Sequence, residues 1–140
     1  MGDECCSSNT KTMLVACSGA SNLGQIANQV AVELTREGVG KMFCLAAVGA
    51  HISNFLFSAQ NAQNLVAIDG CPVGCAMRLL EHADVPVTAY VVVQNLGIEK
   101  SSQSRFETVE LEMAKNAVKD IVNSANCLFP DKNVPCSCCG

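Results

Sequence analysis

Four short stretches of this chain are apolar through their interiors with no alternation of polar residues, and that feature limits the fold more than any other. They are residues 12–17 (TMLVAC), 41–47 (KMFCLAA), 64–69 (NLVAID) and 87–93 (VTAYVVV). A strand with one face in water alternates apolar and polar side chains. A strand read as a continuous apolar run is covered on both faces. Between and after these runs lie helical patterns, so strands and helices alternate four times. The expected fold class is therefore α/β: a three-layer sandwich around a mostly parallel, doubly wound sheet of about four or five strands, flavodoxin- or Rossmann-like. The expected strand order is 2-1-3-4.

The first helix is expected from Asn22, read as an N-cap with Gln25 three positions on. Leu23, Ile26, Ala27, Val30, Ala31 and Leu34 lie on one face, and Gly38 supplies the stop. Ser53 is expected to cap a short helix through Ala62. Pro72 suits the first position of the next helix, which puts Cys71 at its N-cap. Ser104 and Glu107 form a second capping box before a long closing helix with Phe106, Val109, Met113, Ala117, Ile121 and Ala125 on one face. One domain over residues 12–126 is expected, with an N-terminal segment 1–11 expected to be flexible and a Cys-rich tail 127–140 outside the pattern.

Thirteen acidic against nine basic residues give a net charge of −4 in 140 residues. A binder of phosphate backbones needs a basic face, and with 4% aromatic residues and no Trp there is little for base stacking. Nucleic acid is not an expected partner. Residues 42–68 carry no Asp, Glu, Lys or Arg, but three Asn, two Gln, two Ser and His51 make a buried strand–helix–strand run the better reading than a membrane span.

Ten cysteines pose the next question. The N-terminus, MGDECCSSNTKT, has no apolar core and no cleavage pattern of a secretion signal, so the reading is a cytoplasmic chain. In a reducing compartment grouped cysteines bind metal or do redox chemistry rather than form a disulfide framework. The functional crevice of an open parallel sheet lies beyond the C-terminal ends of its strands. Cys17 closes the first strand, and Cys71 and Cys75 directly follow the third. Cys44 falls in the later half of the second. With Cys71 as N-cap, Cys75 lies one turn in on the same side. Four thiolates make a closed tetrahedral zinc site, and a helix N-terminus favours the thiolate form. Asp69 and His51 are the nearby candidates for a further ligand or for a partner that orients one.

The stretches CSGASNLGQIANQVAVELTREGVGKMFCLAAVGAH, IDGCPVGCAMRLLEH and YVVVQNLGIEK resemble the DGC-domain family, named for a tripeptide present here as Asp69-Gly70-Cys71. The resemblance spans about residues 12–105. It implies zinc bound by four cysteines, which fall at Cys17, Cys44, Cys71 and Cys75, and it brings Cys44 firmly into the set. It carries no reaction with it, and it does not reach Cys5, Cys6, Cys127, Cys136, Cys138 or Cys139.

The expected function is a metal-binding protein that holds zinc, or alternatively an iron–sulfur cluster, through those four cysteines. The alternative is a thiol-redox or sulfur-transfer enzyme using Cys71 and Cys75. The loop 17–24 between a strand and a capped helix invites an anion, but it lacks the P-loop and dinucleotide patterns and has no Arg to clamp a phosphoryl group.

Overall fold

A computed structural model describes residues 12–128. The expectations for residues 1–11 and for the Cys-rich tail from 129 onward lie outside the described residues. Strands β1 (Thr12–Ala16), β2 (Lys41–Met42), β3 (Asn64–Asp69) and β4 (Ala89–Val92) form one sheet in the order β2-β1-β3-β4. All pairings are parallel: Met13 sits opposite Lys41, Thr12 opposite Asn64 and Val66 opposite Ala89. The sequence predicts both this order and the three-layer α/β class.

Helices α1 (Asn22–Arg36) and α5 (Thr108–Leu128) cover one face, and α2 (Leu45–Gly49), α3 (Ser53–Gln60) and α4 (Cys75–His82) the other. The period of two along each strand divides the core. Leu14, Ala16, Val66 and Ile68 pack with Ile26, Val30, Leu34, Val118 and Val122. Val15, Leu65 and Ala67 pack with Val48, Ala59, Leu80 and Ala83. Every residue of β3 is buried, as its unbroken apolar run demands.

Several expected boundaries move. The second strand ends at Met42, where a run through Ala47 is predicted: the Phe43 N–H makes the last bond to the Leu14 carbonyl, and the Ala-rich Leu45–Gly49 coils into α2. A short apolar run of good helix formers fits either state, and packing decides it here. Helix α1 is capped by Ser21 rather than Asn22; the Gly24 N–H donates to the Ser21 hydroxyl at 3.3 Å. Gln25 instead donates from its amide to the Gly19 carbonyl. Helix α5 starts at Thr108, with Glu110 accepting the Glu107 N–H at 2.8 Å, three residues later than the box read at Ser104. It runs on to Leu128 and so takes in Cys127, placed by sequence in the tail. The fourth strand shortens to four residues and is followed by a 3-10 turn, Val93–Leu96.

Candidate thiol and metal-binding site

The site grows from the end of β3. Asp69 is 1% exposed, and its two carboxylate oxygens accept the N–H groups of Ala76 and Met77 at 2.8 and 3.0 Å. These are first-turn amides of α4 that the helix itself leaves without partners. The cap of α4 therefore comes from the strand, which is why the helix begins at Cys75 and not at Pro72. Cys71, Pro72, Val73 and Gly74 form a turn closed by the Gly74 N–H on the Cys71 carbonyl at 3.1 Å. Pro72 stands at its second position, and Gly74 follows in the left-handed region at φ 69°. Cys71 is thus on a turn and Cys75 at the first position of the helix.

Gly70 has a different task. A Cβ there would stand 2.7 Å from the backbone N of Gly24, and one on Gly24 would stand 2.6 Å from that of Gly19. The end of β3, the loop after β1 and the first turn of α1 touch backbone to backbone, which only glycine permits. The tripeptide Asp69-Gly70-Cys71 therefore reads as a helix anchor, a close-approach point and a thiol.

Between these elements lies a cavity of about 400 Å³ lined by Cys17, Cys71, Cys75 and Asp69, with Ser21, Gly24 and Lys100 among its walls. Cys17 follows β1 directly, its N–H bonded to the Ile68 carbonyl at 2.9 Å. Cys17 and Cys71 are half-buried, and Cys75 is exposed. Lys100 places its ammonium 3.4 Å from the Cys71 sulfur.

The cavity carries the Asp69 carboxylate at one wall and the Lys100 ammonium at another. Burial pushes the Cys17 thiol above its ordinary value, and the charges of Asp69 and Cys75 push the same way, against hydrogen bonds from the Gly19 and Gly70 backbone. Burial, followed by the hydrogen bond to Asp69, also drives the Tyr90 phenol upward, so it stays a neutral donor, 2.8 Å from the Asp69 carboxylate. The N-terminus of α4, expected to favour a thiolate, is already answered by Asp69.

Of the sequence candidates, Cys17, Cys71, Cys75 and Asp69 come together. Cys44 stands exposed at the N-cap position of α2, without a side-chain capping bond, and does not line the cavity. His51 also stands apart; its ring meets that of His82. Among the described residues no three Cys, His, Asp or Glu side chains are gathered into a ready coordination sphere. Lys100 and Tyr90 escape sequence reasoning. Tyr90 is the chain's single Tyr and sits in an otherwise aliphatic strand, which is the one signal that marks it.

The DGC domain model matches residues 13–120. The chain is 33% identical over 100 residues to the anaerobic and virulence modulator AnvM of Pseudomonas aeruginosa, an alignment covering 71% of this chain and 76% of that protein. No solved structure matches. Among the described residues no helix is long and apolar enough to cross a membrane. With its family model spanning nearly all of the sheet and the helices around it, this chain belongs to the DGC domain family.

Proposed function

We propose that the protein binds a thiophilic metal ion, zinc, through Cys17, Cys71 and Cys75. The observation that carries this reading is the convergence of three thiols, one following β1 and two from the turn and helix start after β3, on one cavity walled by a buried carboxylate. Thiolates are the preferred ligands of zinc and of iron–sulfur clusters. A bound cation would displace the thiol protons, and its charge would balance the thiolates so formed beside Asp69. The donor chemistry fits such an ion. The half-buried and exposed sulfurs have room to turn toward it, and Asp69 remains the anchor of α4 rather than a ligand. The part of this chain in the function is to hold the ion and keep Cys75 in place. The relative in Pseudomonas is named as a modulator, and binding without turnover accords with that. A reducing compartment, the cytoplasm, suits a site whose ligands must stay unoxidised.

Protein purified without oxygen tests the reading by metal analysis and absorbance together. The expected result is a colourless zinc equivalent that the Cys71→Ser/Cys75→Ser double variant loses and Cys44→Ser keeps. Visible absorbance with iron would assign a cluster instead, and unchanged zinc in the double variant would remove the site.

One observation favours a second reading. The Lys100 ammonium beside the Cys71 sulfur is an arrangement that nucleophilic thiols use. On that reading the Cys71 thiolate attacks a substrate disulfide and expels one substrate thiolate, and Cys75 then attacks the mixed disulfide, releasing the second and leaving Cys71 and Cys75 joined as a disulfide. Rapid, Lys100-dependent alkylation of Cys71 in the metal-free protein would support it.

A further inference from the structure

The chain contains two histidines, 31 positions apart, and the fold brings them together. The ring centroids of His51 and His82 are 5.8 Å apart, with the ring planes perpendicular. The pair is remote from the thiol cavity: α4 has Cys75 at its first position and His82 at its last, seven residues on and about 10 Å along the helix.

Two backbone features create the pair. Helix α2 ends with the His51 N–H on the Val48 carbonyl and the Ile52 N–H on that of Ala47, at 3.0 and 3.1 Å. This is the double bond pattern that normally places glycine in the left-handed position. Helix α1 ends the same way, through the Val39 and Gly38 N–H groups, with Gly38 at φ 76°. In α2 the position is held by His51 at φ 55°, a conformation that glycine enters freely and other residues at a cost. The second feature is Gly49. A Cβ there would stand 2.7 Å from Leu79 Cδ1, so α2 lies directly against α4 and its end is aimed at the end of α4.

The surroundings favour a cation. His82 lies in the last turn of α4, where the helix dipole is negative, and Glu81 and Asp84 flank it in sequence. Both rings are exposed, so each can turn without repacking. With zinc–nitrogen bonds of about 2.0–2.1 Å and ring atoms about 1.2 Å from their centroid, two imidazoles sharing one ion have centroids about 5–6 Å apart. The observed separation falls in that range.

We propose that His51 and His82 form a second, two-histidine site for a divalent transition-metal ion of the imidazole-preferring class, zinc, copper or nickel, independent of the thiol site. Water or an external donor would fill the other positions, because among the described residues no third ligand joins the pair.

The test reads the imidazoles directly, so zinc held by thiols does not enter it. Full-length protein with nitrogen-labelled histidine is titrated at mildly alkaline pH with zinc chloride in excess over the thiols. The expected result is that both imidazole signals shift with one shared half-saturation point. In His82→Asn the His51 signal should then need about tenfold more zinc. The His51→Gly variant relieves the left-handed strain. It should melt no lower than the parent while His82 loses its response, a result that misfolding does not produce. Separate half-saturation points for the two rings, absence of any shift, or an unchanged His51 curve in His82→Asn would overturn the proposal.

Discussion

The two faces of the sheet are held by different physics. On one, α1 buries eight residues, and α5 adds Leu111, Ala114, Val118, Val122 and Ala125. Lys115 then bridges the pair, meeting Glu33, Glu37 and Glu112 at 3.1, 3.0 and 2.9 Å. On the other, α3 buries only Ala59, leaving Phe57 67% exposed, and α4 buries only Ala76 and Leu80. What fixes α4 is the Asp69 carboxylate on its first turn. The first face is secured by the larger apolar area, and the second, which carries Cys75, by a smaller apolar cluster together with a buried polar anchor. The site therefore sits beside a helix start held by a few hydrogen bonds, the kind of region expected to open before the core does.

The most disruptive way to probe the contrast is truncation on the well-packed face. Ile26→Ala removes a fully buried side chain and should lower stability by about 2–5 kcal/mol in a denaturant melt, with the whole domain unfolding as one. A loss below about 1 kcal/mol would mean that this face is not the main source of stability.

Asp69→Ala should cost somewhat less, about 2–4 kcal/mol, since it leaves two first-turn N–H groups and the Tyr90 hydroxyl without their partner. Its effect should be local. Hydrogen exchange at Ala76 and Met77 and alkylation of Cys75 should quicken, while amides in α1 and α5 hold. Equal loss of protection on both faces would erase the distinction.

Acid should weaken the ion pairs of the first face. Hydrogen bonds from Lys115 and then Gln29 hold the Glu33 carboxyl below its ordinary value of 4.5, and Lys119 and then Lys115 do the same for Glu37. A carboxyl depressed in the folded state contributes stability above its unfolded value and loses it as pH falls through the folded one. The melting midpoint should therefore drop modestly below about pH 4.5, and Lys115→Met should flatten that drop. Phe57→Ser on α3 should show the smallest effect, within about 0.5 kcal/mol, because the ring is mostly in water.

How far the sequence reveals this arrangement depends on the range of the interaction involved. The buried run of β3 and the facial periodicity of α1 are local, so the layers follow from them; the strand order depends on crossovers between distant segments, and its expectation rests on analogy with flavodoxin-like sheets. Cys17, Cys71 and Cys75 are legible because each sits at a strand end or just beyond one, where parallel sheets place their crevice. The start of α4 is not legible. Pro72 is a good first helical residue, but a carboxylate three positions earlier claims the first-turn amides from outside the helix. Cys44 stands outside the strand expected to carry it because KMFCLAA suits a strand and a helix equally, and the run's bonds to β1 end at Phe43. Lys100 reaches Cys71 across 29 positions, and no local pattern announces such a pairing.

The central claim is that three thiols, those of Cys17, Cys71 and Cys75, hold one zinc ion. X-ray absorption at the zinc edge tests it most directly, on reduced full-length protein carrying one equivalent of zinc and on its Cys71→Ser/Cys75→Ser variant. The account predicts three sulfurs at about 2.3 Å and one lighter ligand at about 2.0–2.1 Å in the parent, with that sulfur shell lost in the variant. Four sulfurs in the parent, or a sulfur shell unaltered by the substitutions, would contradict it.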